Sequence, residues 1–275
     1  MADHEALTDG YRPSVTVVMA AYNAEAFISG AIDSILAQTC SDLELVVVDD
    51  ASTDGTWGIL QQYARSDDRV RLRRNASNVR QVTSLNFGIL QARAPYVAIM
   101  DADDIADPLR LEHQACYLDE HPEVGVVGSL YDAFESDPSA RRPSLARADG
   151  SWRDGNVVML HATMMVRRDL YAIHGLYDPS YDDAGDYEIQ SRFAHGGVRF
   201  HVLNEALLHY RVHPGSMTSR RRRQQEGAAL RASACVPCCA IAGPSQRAAS
   251  LLRRDTQRST HTSGQGWAAS CLPRS

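Results

Sequence analysis

Four β-rich runs alternate with three amphipathic helical patterns in the first hundred residues, and this alternation constrains the fold more than any other feature. The runs begin at Val15, Leu43, Val70 and Tyr96. The first two are continuously apolar, as expected for strands that are covered on both faces. The alternation predicts an α/β fold, in which helices flank a mostly parallel, Rossmann-type sheet with right-handed crossovers.

The second half of the chain is less regular, so its elements are predicted one by one. We expect a strand at 124–130, an exposed loop at 132–155, a strand-to-helix passage at 157–173, a polar loop at 177–185, a helix from about Asp186 and a strand at 198–203. Together with the first half, these elements predict one domain that spans residues 12–218.

Composition separates this domain from the last part of the chain. Residues 1–218 carry a net charge of −14, whereas residues 219–275 carry +8. The last segment opens with Arg220-Arg-Arg-Arg and shows no sustained periodicity, so we expect a disordered or loosely attached basic tail. A change in composition this abrupt is also what a shifted reading frame produces.

The absence of lysine excludes several kinds of chemistry. All 28 basic residues are arginine, so a Walker A phosphate loop, a pyridoxal phosphate Schiff base and a lysine nucleophile are ruled out. Cys235-Val-Pro-Cys-Cys lacks a second ligand pair at zinc-site spacing, which argues against a zinc site. Carboxylates and histidines must therefore carry the chemistry.

The sequence shows no signal for a membrane span or a leader peptide. No stretch approaches the roughly 18 apolar residues that a span requires, and the acidic start lacks the basic and apolar regions of a signal peptide. We therefore expect a cytoplasmic protein with reduced cysteines. The basic tail also allows peripheral contact with the inner face of the cell membrane.

Two acidic clusters follow predicted strands directly. Asp49-Asp50 ends the second run, and Asp101-Ala-Asp-Asp ends the fourth. The carboxyl ends of parallel strands share one edge of a sheet, and ligands bind there. Because clustered carboxylates repel one another, we expect a hard cation, and Mg²⁺ and Mn²⁺ commonly bind carboxylates together with substrate phosphates. The alternative is that these aspartates merely cap turns and helices.

Four motifs carry a resemblance to a known family. In chain order they are Val17-Val-Met-Ala-Ala-Tyr-Asn, Ser34-Ile-Leu-Ala-Gln-Thr, Glu44-Leu-Val-Val-Val-Asp-Asp-Ala-Ser-Thr-Asp-Gly-Thr and Asp101-Ala-Asp-Asp. With these motifs, residues 14–107 resemble the nucleotide-sugar-binding half of family 2 glycosyltransferases. The resemblance implies a GT-A fold, a nucleotide-diphosphate sugar donor and an inverting transfer assisted by Mn²⁺ or Mg²⁺. It divides the domain into a donor half at 12–115 and an acceptor half at 116–218.

The resemblance also assigns roles within the donor half. The nucleotide-sugar-binding residues that it implies are Ala20, Tyr22, Asp50, Asp101 and Asp103. Ala20 and Tyr22 would lie near the nucleotide base, and Asp50 would accept a hydrogen bond from it. The DXD-type motif comprises Asp101, Asp103 and Asp104, in which one acid contacts the ribose and another the metal. The sequence leaves open whether Asp103 or Asp104 is the principal metal ligand.

The resemblance further implies a general base in the acceptor half, usually a carboxylate in an acidic dipeptide that opens a helix. Asp186 is the candidate, and Gly185 replaces the commoner glutamate of that dipeptide. Glu188 is the substitute candidate. The alternative for Asp186 is a purely structural role, as a helix N-cap or a first-turn acid that the helix dipole stabilises.

Two histidines are weaker candidates. His213 follows Tyr210-Arg-Val and resembles an element that approaches the diphosphate or the metal in the family, so we include it among the metal ligands. His161 either borders the acceptor site or packs between strands, and the apolar run around it favours packing.

The sequence thus predicts an inverting glycosyltransferase of polysaccharide or glycoconjugate biosynthesis. Its partners would be a nucleotide-diphosphate sugar donor and a hydroxyl-bearing sugar or lipid-linked acceptor, and no nucleic-acid motif is present. One alternative is a noncatalytic nucleotide-sugar-binding protein, because Gly185 breaks the usual acidic pair. Another is a metal-dependent nucleotidyltransferase, although residues 15–26 lack the glycine-rich basic loop of such enzymes.

Overall fold

The computed structural model describes residues 12–139, 142–143 and 159–214, and every structural statement below refers to these residues. Most of the predicted loop at 132–155, part of the passage at 157–173 and the whole of the predicted tail at 219–275 lie outside them.

The described chain forms nine strands and six α-helices. The strands are β1 Val15–Ala21, β2 Leu43–Asp49, β3 Val70–Arg74, β4 Tyr96–Asp101, β5 Ile105–Ala106, β6 Val124–Phe134, β7 Arg142–Pro143, β8 Met165–Arg167 and β9 Arg199–Arg211. The helices are α1 Ile28–Leu36, α2 Thr56–Ser66, α3 Gln81–Leu90, α4 Arg110–Glu120, α5 Asp169–His174 and α6 Gly185–His195. Short 3₁₀ helices lie at His161–Thr163 and Pro179–Ala184. None of these helices has the length and apolar character needed to span a membrane.

The strands form one sheet in the order β3-β2-β1-β4-β8-β6-β9-β5, with β7 paired to β6. Strand β1 pairs in parallel with β2 and β4, and β2 pairs in parallel with β3. Antiparallel pairings enter with β8, although β6 and β9 form a long parallel pair. The predicted α/β fold is confirmed, and the parallel first half brings the carboxyl ends of β1, β2 and β4 to one edge.

Apolar layers cover both faces of the sheet, as the continuously apolar strands predict. Val17 and Met19 of β1 join the core beneath α1, α2 and α4. Val18 points to the other face and joins the core beneath α3, α5 and α6. Because both faces are buried, the strand ends and their loops are where polar side chains gather.

Several elements differ from the sequence prediction. Part of the loop expected at 132–155 belongs to the sheet, because β6 runs to Phe134 and pairs with β7 at Arg142–Pro143. Helix α4 was not predicted, although Leu111, Ala115 and Leu118 bury one face of it at helical spacing. Strand β9 continues past the predicted end at residue 203, because it follows β6 as far as the pair Phe134 and Arg211, with register shifts along the way. The extension matters because it carries the chain to the acidic edge of the sheet.

Candidate active site

The predicted donor residues of β1, β2 and β4 come together at one edge. Ala20 lies opposite Asp101 in the parallel register, and Ala21 lies opposite Asp49. Tyr22 follows β1 and is 50% exposed beside these strand ends. A flat, open aromatic ring at this position is suited to stacking against a planar ligand group.

The Asp50 carboxylate organises the loop that precedes α3. Its Oδ1 accepts hydrogen bonds from Asn75 Nδ2 and the Val79 amide, both at 2.9 Å. Its Oδ2 accepts one from the Arg80 amide at 2.8 Å. The side chain is buried, so its predicted contact with a nucleotide base has to coexist with these three internal bonds.

Asp49 shows a different pattern at the same edge, and the sequence analysis gave it no individual role. Its Oδ2 forms an ion pair with Arg74 Nε at 3.0 Å. Its Oδ1 is buried and has no hydrogen-bond partner within the described ranges. A buried acceptor without a partner is costly, so Asp49 is a second candidate to receive a donor group from a ligand.

Strained backbone lies around this edge. The non-glycine residues with positive φ in the described part of the chain are Asn23 at 48°, Ala51 at 60° and Arg80 at 74°. They follow β1, follow β2 and precede α3, respectively. Such conformations cost of order 1–3 kcal/mol each and tend to occur at functional sites. Their position here agrees with a ligand site at the strand ends.

The DXD-type motif forms a compact acidic cluster. One carboxylate oxygen from each of Asp101, Asp103 and Asp104 lies within 4.8 Å of the others. Burial, followed by the charges of Asp103 and Asp186, raises the pKa of Asp101 to about 7. Burial, followed by the charges of Asp101 and Asp103, also raises the pKa of Asp104 well above its usual value. Burial and the repulsion between neighbouring carboxylates therefore make the negative charge of the cluster unfavourable.

This cluster fits a divalent cation. Asp104 is fully buried, its Oδ1 accepts the Arg211 amide at 2.8 Å, and its Oδ2 has no partner among residues that the structure describes. Three carboxylates that repel one another around an unpartnered oxygen form the hard-oxygen donor set that Mg²⁺ and Mn²⁺ prefer.

The end of β9 reaches this cluster, and His213 lies just beyond the strand. His213 Nε2 lies 2.9 Å from Asp103 Oδ2. Arg211 Nε donates to the Asp103 carbonyl at 2.8 Å, and its guanidinium lies over the rings of Phe27 and Phe134. Arg211 therefore holds the backbone of the motif in place, a role that the sequence analysis did not assign to it.

A buried arginine behind the motif was also missed. Arg110, in the first turn of α4, is fully buried and donates to the Ile99 carbonyl at 2.8 Å and to Gln114 Oε1 at 3.2 Å. Burial lowers its pKa to about 10, and the charges of Asp104 and Asp101 oppose that shift. Its positive charge partly compensates the acidic cluster. The helical spacing of α4 was the available sequence signal.

Asp186 lies within electrostatic reach of the motif, although it belongs to the other half of the chain. It lies exposed in the first turn of α6, where its charge contributes to the raised pKa of Asp101. The N-cap position of α6 is Ala184, and no side chain caps this end, so Asp186 is not an N-cap. Asp186 is thus close enough to the acidic motif for its charge to act on Asp101.

Glu188 is not available as a substitute base, which corrects the sequence prediction. Its side chain is buried, and both carboxylate oxygens bind Arg192, at 2.7 Å through Nε and 2.9 Å through Nη2. The two residues are four positions apart on α6, so this buried ion pair stabilises the helix and engages both carboxylate oxygens.

Gly185 has a structural explanation. A Cβ at this position would lie 2.4 Å from Val82 Cγ2 on α3, well inside van der Waals contact. The backbone of α6 therefore packs directly on α3. A glutamate at this position would meet the same contact with Val82.

A GT-A-like α/β sheet with a DXD-type acidic cluster at its strand ends, within electrostatic reach of a carboxylate on a separate helix, indicates a glycosyltransferase. The chain belongs to glycosyl transferase family 2, whose family model matches residues 16–178. EpsE of Bacillus subtilis, which is named as a glycosyltransferase, is 36% identical over 216 residues, or 76% of each chain. An uncharacterized glycosyltransferase of Haemophilus influenzae is 32% identical over 223 residues, covering 75% of this chain and 68% of its own.

Solved structures agree on the fold. TarS of S. aureus, residues 1–349 in complex with UDP, superposes with a TM-score of 0.65 at 21% identity, covering 90% of this chain and 72% of its own. The mannosyltransferase PcManGT of Pyrobaculum calidifontis, in complex with GDP-Man and Mn²⁺, gives a TM-score of 0.61 at 21% identity, with coverage of 92% and 82%.

Proposed function

We propose that this glycosyltransferase moves a sugar, with inversion, from a nucleoside diphosphate donor to a hydroxyl acceptor. The observation that carries the proposal is that the charge of Asp186 acts on Asp101 of the acidic motif, although the two residues lie in opposite halves of the chain. The structures of TarS with UDP and of PcManGT with GDP-Man and Mn²⁺ support a donor of this class.

Asp186 is the proposed general base. As the acceptor oxygen attacks the anomeric carbon, its proton passes to the Asp186 carboxylate, and the bond from that carbon to the diphosphate oxygen breaks. The leaving diphosphate keeps the electron pair. Attack on the face opposite the leaving group inverts the anomeric centre. The exposure of Asp186 makes its carboxylate accessible to an acceptor.

Asp103, Asp104 and His213 are the proposed ligands of a divalent cation, Mn²⁺ or Mg²⁺. The side chain of Asp103 is 30% exposed and that of His213 19%, whereas Asp104 is fully buried and tied to the Arg211 amide. We therefore assign the principal role to Asp103. When bound, the cation neutralises charge on the departing diphosphate.

The nucleotide moiety is proposed to bind along the ends of β1, β2 and β4. Ala20, Tyr22 and Asp50 flank the base, and Asp101 contacts the ribose. Asp49 joins them because its Oδ1 is a buried acceptor without a partner within the described residues. This arrangement makes residues 12–115 the donor half and residues 116–218 the acceptor half.

The acceptor is proposed to be a sugar or a lipid-linked sugar in polysaccharide or glycoconjugate biosynthesis. We place the reaction in the cytoplasm or at the inner face of the cell membrane. Both assignments rest on the resemblance and on the basic composition of residues 219–275.

The experiment that tests this proposal is a panel of donors. UDP-GlcNAc, UDP-glucose and GDP-mannose are incubated with the protein and MnCl₂, and release of nucleoside diphosphate is measured with and without simple sugar acceptors. We expect one donor to be consumed, and EDTA or Asp103→Asn should abolish that turnover. Full activity in EDTA would contradict the metal assignment. Donor binding without turnover for every combination would favour a noncatalytic binding protein.

A further inference from the structure

The first turn of α3 is bound to two acidic residues at the strand ends. The Arg80 amide donates to Asp50 Oδ2 at 2.8 Å, and Gln81 Nε2 donates to Asp101 Oδ1 at 3.2 Å. Arg80 has φ 74° and ψ 165°, a backbone conformation that is strained in any residue except glycine. Because Asp50 holds this strained residue, the start of α3 has a fixed place beside the ends of β2 and β4.

The same turn is also bound by Asp182, which lies in the other half of the chain. Asp182 Oδ1 accepts a hydrogen bond from the Val82 amide at 3.1 Å, across 100 positions of the sequence. The first amides of a helix have no partner within it, and the side chain of Arg80 at the N-cap position does not supply one. Asp182 also pairs with Arg80 Nη1 at 3.4 Å, but that arginine side chain is 57% exposed, so the pair contributes little. The bond to the Val82 amide is therefore the main link.

Asp182 lies close in sequence to the proposed base. It belongs to the 3₁₀ helix Pro179–Ala184, which leads directly into α6 at Gly185. The backbone at Gly185 packs on Val82, since an added Cβ would lie 2.4 Å from Val82 Cγ2. Val82 thus holds the start of α6 at two points, through its amide and through its side chain. Asp186 is the next residue after the second point.

These contacts connect Asp186 to the acidic motif. Its neighbour Gly185 packs on Val82. Val82 follows Gln81, whose side chain donates to Asp101. The place of Asp186 relative to the motif is therefore set by how the start of α6 rests on α3. A displacement of about 1 Å from a productive geometry can cost about 10²-fold in rate.

We propose that Asp182 is a positioning residue, which fixes the start of α6 on the first turn of α3 and thereby places the Asp186 carboxylate for transfer. The inference rests on the proposed function, in which Asp186 is the base. In this role Asp182 touches neither the substrate nor the reacting atoms. Its removal should therefore slow the chemical step and leave donor binding, which is proposed to depend on the ends of β1, β2 and β4, unchanged.

The first test compares two substitutions of Asp182 in the donor assay. Asp182→Ala removes the acceptor of the Val82 amide, so kcat should fall about tenfold while the donor KM stays within about twofold of the wild type. Asp182→Asn keeps an oxygen acceptor and loses only the exposed pair with Arg80, so it should retain most of the wild-type kcat. Rescue by asparagine would show that the hydrogen bond matters and the charge does not.

Asp67→Ala is the matched control for a general loss of stability. Asp67 likewise accepts a hydrogen bond from a backbone amide, that of Arg69 at 2.9 Å, and its side chain is 24% exposed. It lies before β3, at the end of the sheet opposite the acidic motif. Both alanine variants should lower the melting temperature, but only Asp182→Ala should lower kcat at a temperature where all variants are folded.

Two further measurements connect Asp182 to Asp186. In the Asp186→Asn background, Asp182→Ala should cause no further loss of kcat, because the base that it positions is already absent. Hydrogen exchange needs no turnover. The amides of the first turn of α6 should exchange faster in Asp182→Ala than in the wild type, and at the wild-type rate in Asp182→Asn.

An equal loss of kcat in Asp67→Ala, an undiminished effect of Asp182→Ala in the Asp186→Asn background, or unchanged exchange in α6 would overturn the assignment. Faster exchange without any loss of kcat would also overturn it. Turnover by the wild type and its loss in Asp186→Asn test the proposed function, whereas exchange and the comparison of alanine with asparagine test Asp182, so the two fail separately. A wild type that consumes no donor would overturn both.

Discussion

Replacing Gly185 by alanine tests whether α6 is held against α3 by the contact with Val82. Gly185 has φ −63° and ψ −34°, which alanine adopts readily. On an open helix the change therefore stabilises by roughly 0.5–1 kcal/mol. Here the new Cβ would lie 2.4 Å from Val82 Cγ2, more than 1 Å inside a normal carbon contact of about 3.5–4.0 Å.

Overpacking of this kind costs typically about 1–3 kcal/mol, so we expect a net loss of about 1–2 kcal/mol in the free energy of unfolding. Urea denaturation measures it, with Gly58→Ala as the matched control. Gly58 is on α2, and a Cβ there meets nothing within 4 Å, so that variant should become more stable. The double variant Gly185→Ala with Val82→Ala should be more stable than the sum of the two single changes predicts.

If Gly185→Ala stabilised the protein as much as Gly58→Ala does, the reasoning would be refuted, because the clash would then not exist. A loss of stability that Val82→Ala does not relieve would refute the assignment of the clash to Val82. If both results are as expected, restoring the commoner glutamate at position 185 should also require a smaller residue at position 82.

Three more predictions concern acidic residues. Asp186→Asn should lose about 10²–10⁴-fold in transfer rate while it binds nucleoside diphosphate and Mn²⁺ normally, and equal losses of rate and binding would contradict its role as base. Glu188→Gln, which breaks the buried pair with Arg192, should instead lower the melting temperature. Because the pKa of Asp101 is raised to about 7 from its ordinary 3.8, the folded protein binds more protons than the unfolded chain between these values. The melting temperature of the metal-free protein should therefore fall as the pH rises through this range, and Asp101→Asn should flatten that fall; an unchanged slope would contradict the shift.

Local sequence patterns were sufficient to predict the parallel first half of the sheet. The strands β1 and β2 are buried on both faces, and their continuous apolar runs are typical of such strands. The parallel pairing of β1 with β2 and β4 then brings Asp49 and Asp101 to one edge. The role of Asp186 as general base was inferred through resemblance and stays a prediction. The geometry of this residue depends on how α6 packs on α3, which no local pattern encodes.

The features that were missed all depend on partners distant in the sequence. The length of β9 is set by its pairing with β6. The glycine at position 185 matches the close approach of Val82, which leaves little room for a Cβ. Arg110 lies on the buried face of α4 and interrupts its apolar pattern, so the sequence indicates only a weakly amphipathic helix. Its burial is explained by a distant partner, the carbonyl of Ile99, which accepts a hydrogen bond from its guanidinium. Glu188 was a reasonable candidate base until its pairing with Arg192 was known.

The contribution of β9 to the acidic motif has a consequence for biosynthesis of the protein. Asp104 receives its backbone donor from a residue 107 positions later, and Asp103 meets a histidine 110 positions later. Domains generally begin to fold from the N-terminus during synthesis, so strands β1 to β4 can associate while β9 is still inside the ribosome. Until β9 emerges, the motif has neither the amide nor the histidine. A nascent chain therefore does not hold the complete acidic site, and the capacity to engage a charged sugar donor comes only with nearly complete translation of the domain.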